Sequence, residues 1–571
     1  MHLHAVIATA LLAMAVSPQG AQAEQVDSVR SNHHDQVDAI LSRWKAGGTP
    51  GCAIGISVND ILDYAKGFGS ADLSSAAPIT PGTVFHVASI SKQFTAFSIG
   101  VLEERGKLSY DDSIRRYMPE LPGYADAITI SDLIHHTNGL REQGQLLNLA
   151  GWRDSDVYTE SDVIWALTRQ QGLNFKPGTE VVYTNAAYTL LGIVVQRVSG
   201  KTLRQFAQDE IFVPLGMSDT RFSDRYTEVV ANRALSYVPN ERAAWDFAPL
   251  TITHYGSTGL LTTVGDLLKW EQNLIDGRVG SQTLIAKMKE SGALRDGTRI
   301  NYGGGLRLDK YRGVNLISHD GADVGFRSDA LLFPDQRLAI VALCNGATTN
   351  PASITRAIAD IYLDPLNLPA HLAPSVRMTP EAQSALAGTY WSSQTDELIR
   401  LDWRDNALRP AGASGLVPIG SDVFRPSDQP HEWTFHRPSG RLGDFRLVVR
   451  DFWPTTREFV KLTEPMPAQS DLEALTGTYQ SEETDMTYTV AFVDGRLRVS
   501  WPRGYDLPLD PVGGNRFSSS RGTITFIRDS SGLVEGLTLS NRRLRRMTAT
   551  RIDVARGGSK LVQGDASAQQ H

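Results

Sequence analysis

The sequence predicts an α+β domain followed by two small antiparallel β-barrels, and three observations point there. Between about 30 and 365, short apolar strands mix with amphipathic helices. Pro365, Pro369, Pro374 and Pro380 then punctuate a linker. Beyond it the pattern changes to short alternating strands, and that pattern repeats itself. A chain of 571 residues has room for three to four domains at roughly 150 residues each. With 41% hydrophobic and 21% charged residues it has the composition of a folded protein. The implied division is a leader at 1–23, the α+β domain at 24–365, the linker at 366–380, one barrel at 381–465, a second at 466–555, and a polar, disordered tail at 556–571.

The leader has an apolar run from Ala5 to Val16 and an Ala21-Gln22-Ala23 cleavage pattern, although its first residues lack Lys and Arg. The run is too short for a permanent membrane helix. Export to the periplasm after cleavage near Ala23 is therefore expected, with no membrane span. In the α+β domain, Cys52 to Val58 reads as a strand. Phe94, Phe97, Val101 and Leu102 mark one buried helix face, and Ala330–Phe333 with Leu338–Leu343 form a strand pair around Pro334-Asp335. The two cysteines, Cys52 and Cys344, exclude a disulfide scaffold. Lying in apolar strands, they read as two buried thiols, with a single disulfide still open arithmetically.

The barrel prediction rests on the repeat. Residues 385–409 and 474–498 align without a gap at an offset of 89, identical at 11 of 25 positions. Asp405-Asn406 and Asp494-Gly495 occupy the same two-residue hairpin position. Tyr488, Val490 and Phe492 alternate before the second turn, and Leu497, Val499 and Trp501 alternate after it, so one face of the hairpin is apolar.

Three separated motifs carry chemistry. Ser89-Ile-Ser-Lys92 opens the apolar helix, which puts Ser89 and Lys92 on one face at its N-terminus. There a desolvated lysine can deprotonate the serine, and the helix end favours a developing anion. A second Ser-x-x-Lys, Ser42-Arg-Trp-Lys45, lies in a polar helix and reads as solvated. Tyr183-Thr-Asn185 can supply a proton relay and an amide for a substrate carbonyl. His319-Asp-Gly321 ends an apolar strand, and the Ala322 N–H beside it can pair with that of Ser89 as an oxyanion hole. Each motif alone has a bland reading: a helix cap with a surface lysine, a turn with a packed tyrosine, a loop histidine. His254-Tyr-Gly256 is a second His-x-Gly.

The three in this order resemble the penicillin-recognising serine hydrolases: class C β-lactamases, D-Ala-D-Ala carboxypeptidases, related esterases and D-aminopeptidase. Thr83–Ser89, Ile130–Gly139, Ser257–Thr263 and Tyr302–Gly305 agree with that resemblance. It implies a mixed antiparallel sheet with flanking helices plus an all-helical subregion, the site lying between them. It also implies catalysis by Ser89, Lys92 and Tyr183 through an acyl-enzyme, with Asn185, His319, Gly321 and Ala322 binding or orienting substrate. Where β-lactamases place Lys-Thr-Gly this chain has His319-Asp320-Gly321, a weaker anchor for a carboxylate. The two barrels resemble the three-part plan of D-aminopeptidase, in which a loop of the last barrel reaches the site. The candidate loops here are 502–517 and 529–532.

The leading expectation is an aminopeptidase for N-terminal D-residues such as D-alanine. A carboxylesterase, a β-lactamase or carboxypeptidase, and a cell-wall-binding or sensing protein are the alternatives. A small molecule or short peptide is the expected substrate, and a homodimer is left open. The net charge of −7 gives no basic surface for nucleic acid. No metal or cofactor is expected. His135-His136 diverge on a helix with no carboxylate at ligand spacing, and Tyr302-Gly-Gly-Gly305 lacks a phosphate-binding context. Trp433, Trp453 and Trp501 read as barrel core.

Overall fold

The computed structural model describes residues 31–44, 48–153, 155–251, 253–366, 368, 375–411, 414–427, 431–437, 445–450, 452–453, 455–503 and 505–552. The expected leader, the tail and Lys45 lie outside these residues.

The α+β domain is built on β1 (Cys52–Val58), β2 (Ile61–Phe68), α1 (Ser91–Glu104), α2 (Asn185–Ser199), α3 (Val264–Asp276), β3 (Arg307–Tyr311), β4 (Val314–Asp323), β5 (Phe326–Phe333), β6 (Leu338–Cys344) and α4 (Pro351–Leu363). The six strands form one antiparallel sheet in the order β3-β4-β5-β6-β1-β2. Its central strands are apolar on both faces, so alternate residues feed two separate cores. Cys52, Ile54 and Ile56 pack with Leu331, Ile340 and the α4 residues Ile354 and Ile358. Ala53, Ala330 and Val341 pack on the other side with Val264 and Leu267 of α3. The central strands are covered on both faces, which explains their near-continuous hydrophobic reading.

The cysteines correct the thiol expectation. Cys52 and Cys344 are direct register partners on neighbouring strands, Cα atoms 4.1 Å apart, and they form a disulfide. Strands 292 residues apart in sequence become neighbours only through the sheet order.

Both repeats form closed antiparallel barrels of eight strands, running from Gly388–Trp391 to Thr456–Lys461 and from Gly477–Ser481 to Leu544–Arg551. The predicted hairpin positions have positive φ at both residues, 52° and 54° at Asp405-Asn406 and 50° and 77° at Asp494-Gly495. That is the geometry that matches a tight turn to strand twist.

The barrels differ in attachment. The first has a core of its own around Leu401, Phe424, Phe435 and Phe459. The core of the second is continuous with that of the α+β domain. Across that junction Tyr488 Oη donates to Leu149 O at 3.0 Å and Trp501 Nε1 to Asn148 O at 3.1 Å, and the buried Arg141 and Glu483 form an ion pair. Trp501 thus bridges to the α+β domain, and Trp453 leaves its own barrel to pack on Tyr302 and His136. Neither is plain barrel core, and Trp433, half-buried, packs against the core of the first barrel.

Candidate active site

Ser89 lies in a 3-10 turn, Ala88–Ile90, that leads directly into α1. Ala88 holds a left-handed φ of 47°, a conformation alanine rarely adopts, and the turn lifts Ser89 out of otherwise buried surroundings. Lys92 follows one helical turn later and is fully buried. Its Nζ reaches three oxygens: Ser89 Oγ at 3.1 Å, Asn185 Oδ1 at 2.8 Å and Ser257 O at 2.7 Å. The last two are acceptors only in this arrangement. A neutral amine has two hydrogens for them, and its lone pair then faces the Ser89 hydroxyl. Burial lowers the Lys92 pKa from 10.5 to about 7, which makes that neutral form accessible. Glu142, Asp323 and Asp320 oppose the shift, and Arg543 reinforces it.

Tyr183 lies beside this pair, its ring centroid 4.8 Å from Lys92 Nζ. Its hydroxyl has no hydrogen-bond partner among the described residues. Burial pushes its pKa well above the ordinary tyrosine value, opposed by the neighbouring Ser89 hydroxyl. Such a phenol stays protonated and can donate. Asn185 is the first residue of α2, so the helix begins five residues before the leucines that suggested it. Its N–H donates to Glu142 Oε2 at 2.8 Å, a carboxylate at a helix N-terminus. With Oδ1 held by Lys92, the Asn185 Nδ2 hydrogens are left for a ligand.

His319 and Gly321 lie on β4. Beyond Ser318 this strand has no β3 partner, and its open edge faces the Ser89 turn. A Cβ at Gly321 would come within 2.3 Å of Val87 O and 2.4 Å of Ser328 Oγ, so only glycine lets the strand approach the turn this closely. Ala322, exposed, is the next residue along that strand.

His319 differs from expectation. Its Nδ1 is 2.6 Å from Asp320 O, a pure acceptor, so Nδ1 carries the proton and Nε2 accepts from Tyr302 Oη at 3.1 Å. Burial, aided by Arg307, lowers its pKa below the ordinary histidine value. It is neutral, with both nitrogens occupied, and fixes Tyr302 rather than offering a hydrogen bond to substrate.

Several site residues escaped sequence reasoning. Glu142 carries no motif. His136, read as bland, is fully buried with its ring 4.3 Å from Tyr183 and 5.0 Å from Tyr302, and burial holds it neutral. Among the described residues no cluster of His, Cys, Asp and Glu could hold a metal ion. His254 bonds Gln143 at 2.9 Å and stacks on Tyr158. Ser42 is exposed.

The barrel element at the site is neither of the loops expected. Tyr505, from the first of them, donates to Trp152 O at 2.6 Å, at the junction with the helical region. The residue over Tyr183 is Arg543, in the turn between β7 (Val534–Asn541) and β8 (Leu544–Arg551), with its guanidinium carbon 5.1 Å from the ring centroid.

Comparisons with known proteins place the chain among its relatives. A D-aminopeptidase of Brucella anthropi is 25% identical over 502 residues, which cover 84% of this chain and 90% of that protein. Penicillin-binding protein 4* of Bacillus subtilis is 29% identical over 311 residues, 52% of this chain and 68% of that one. The octameric penicillin-binding protein homologue from Pyrococcus abyssi shares the fold, with a TM-score of 0.53 at 22% identity over 76% of this chain and 99% of its own. The family model described as Beta-lactamase matches residues 37–363, more than half of the sequence and the whole of the sheet with its serine turn, and the chain belongs to that family of serine hydrolases.

Proposed function

We propose that the protein hydrolyses amide bonds in small peptides or amides that carry an N-terminal D-residue, through an acyl-enzyme on Ser89. The observation that carries the reading is the coordination of Lys92: its buried Nζ lies within hydrogen-bond distance of Ser89 Oγ, while Asn185 Oδ1 and Ser257 O accept two of its hydrogens, so that the neutral amine has its lone pair left for the Ser89 proton. Lys92 takes the Ser89 proton as Oγ attacks the carbonyl. The ammonium so formed has a third hydrogen for Ser89, and the Ser89 and Ala322 N–H groups receive the oxyanion. Each such donor is worth about 2.7–4 kcal/mol in the transition state. Tyr183 protonates the departing amine and recovers a proton from the Lys92 ammonium; water, giving a proton to the neutral Lys92, then attacks the acyl group, and that proton returns to Ser89 Oγ as the acid leaves.

The preference for D-residues is supported by the D-aminopeptidase relatives, whose alignment extends well beyond the Beta-lactamase segment. Export belongs to the same proposal, and the Cys52–Cys344 disulfide supports an oxidising compartment. Turnover of D-alanine p-nitroanilide by the purified protein, with its L-enantiomer as control, tests the reading. Ser89→Ala should abolish it. Equal rates on the two enantiomers, or activity surviving in Ser89→Ala, would refute it.

A further inference from the structure

We infer that Arg543, delivered by the second barrel, binds the carboxylate of the residue that leaves with the amine, so that the preferred substrates are dipeptides with a free C-terminus. The inference rests on the acyl-enzyme reading above and narrows its substrate class.

Besides His136, which burial holds neutral, the site has four cationic residues by type, and three are committed elsewhere. Lys92 must be neutral to serve as base. His319 is neutral with both nitrogens occupied. Arg307 is paired with Asp320 at 2.5 Å. Arg543 remains: among the described residues no carboxylate lies within ion-pair distance of its guanidinium. Its neighbour Arg545 is paired with Glu180 at 2.9 Å, so the hairpin does not leave arginines free by default.

The backbone of Arg543 is fixed while its head group is left open. Arg543 O accepts from Glu142 N and from Asn174 Nδ2, both at 3.0 Å, and Arg543 N donates to Asn541 Oδ1 at 3.0 Å. Asn174 Oδ1 also receives Arg545 N at 2.8 Å. A positive charge on a fixed backbone, set against the ring of Tyr183 and with no carboxylate partner among the described residues, is an anchor for an anion.

The position specifies which anion. Arg543 stacks over Tyr183, the proton donor to the leaving nitrogen. In a dipeptide the carboxylate carbon of the leaving residue is only about 2.5 Å from that nitrogen. It is the substrate anion nearest to Tyr183. A substrate ammonium would be repelled there, which places the free amine on the acyl side of Ser89. The lysine missing from the 319–321 motif is thus replaced in function by an arginine more than two hundred residues later.

The test compares kcat/KM of the full chain on D-alanylglycine and D-alanylglycinamide, which differ only in the terminal charge. The wild type should favour the acid by about tenfold or more, the scale of one charge-assisted hydrogen-bonded pair. Arg543→Gln should bring the ratio to within about twofold of one, and Arg543→Lys should restore part of it. Added salt should lower the wild-type ratio. Because the hairpin is held by backbone bonds, a melting curve matching wild type establishes that the variants are folded. Equal wild-type rates on acid and amide overturn the inference while the amidase reading stands, and so does a ratio that survives Arg543→Gln. Cleavage of neither, with p-nitrophenyl acetate still hydrolysed, removes the amidase reading and the inference with it.

Discussion

The protonation of Lys92 should be visible in the pH dependence of the reaction. A lysine at its ordinary pKa of 10.5 would be neutral in roughly one molecule in three thousand at pH 7. With the pKa at about 7, half the molecules carry the free base. The shift corresponds to about 5 kcal/mol of penalty on the charged form, dominated by burial. Because the neutral form is the active one, kcat/KM should rise with pH to a midpoint near 7 and then level off. The two charges with the largest influence give the test a sign. Arg543 pushes the pKa down and Glu142 pulls it up. Arg543→Gln should therefore move the rising limb to higher pH, and Glu142→Gln should move it to lower pH. Lys92→Met should cost about 100-fold to 10,000-fold at every pH. The assay is kcat/KM on D-alanine p-nitroanilide between pH 5 and pH 9. A flat profile, a midpoint above pH 9, or shifts of the same sign in the two charge variants would refute the assignment of Lys92 as the base.

Three further outcomes follow from named contacts. Tyr183→Phe removes the donor to the leaving group, so kcat on an amide should fall by about 100-fold or more, whereas a p-nitrophenyl ester, whose leaving group needs no proton, should lose far less; equal losses would place Tyr183 outside proton transfer. Gly321→Ala drives a methyl group into Val87 O and Ser328 Oγ, so the turn or the strand must move; fluorophosphonate labelling of Ser89 should slow by at least about tenfold, while wild-type labelling kinetics would contradict the close approach. Replacing Cys52 and Cys344 with alanine should cost about 2–5 kcal/mol in denaturant unfolding, since the bond closes nearly the full length of the α+β domain; an unchanged midpoint would mean that the pair is not bonded in the folded protein.

What could be read in the sequence was local. Ser89 and Lys92 share a helix face because three residues nearly complete a turn, and the hairpins of the repeats follow from residues that accept positive φ. The central sheet strands announced themselves by apolar runs, whereas the half-exposed edge strands β2 and β3 did not. What could not be read depends on elements meeting across the fold. Cys52 and Cys344 look like separate thiols until β1 and β6 become neighbours. Arg543 sits in a short turn inside the arginine-rich run Arg542-Arg543-Leu544-Arg545-Arg546, which belongs to none of the three motifs, whereas the segment from Pro502 to Phe517, rich in Pro and Gly, looked like a protruding loop. Most of that segment is strand, and Tyr505 is used at the junction with the helical region. The neutrality of His319 was legible from its residue type. Its engagement with Tyr302 was not, because that tyrosine enters from another segment.

Glu142 ties these separate parts into one chemical unit. Its N–H donates to Arg543 O, so its main chain holds the barrel hairpin. Its carboxylate accepts from Asn185 N, so its side chain caps the helix whose first residue holds Lys92. Its charge is the largest influence opposing the burial of Lys92. Withdrawing the hairpin would take away the guanidinium that helps keep Lys92 deprotonated, and with it a hydrogen-bond partner of Glu142. The lysine pKa would rise and the base would be scarcer at neutral pH. The second barrel therefore bears on the protonation of Lys92 through Arg543. That accounts for a core continuous with the hydrolase domain there, while the first barrel keeps a core of its own and contributes Trp453 to the wall beside Tyr302.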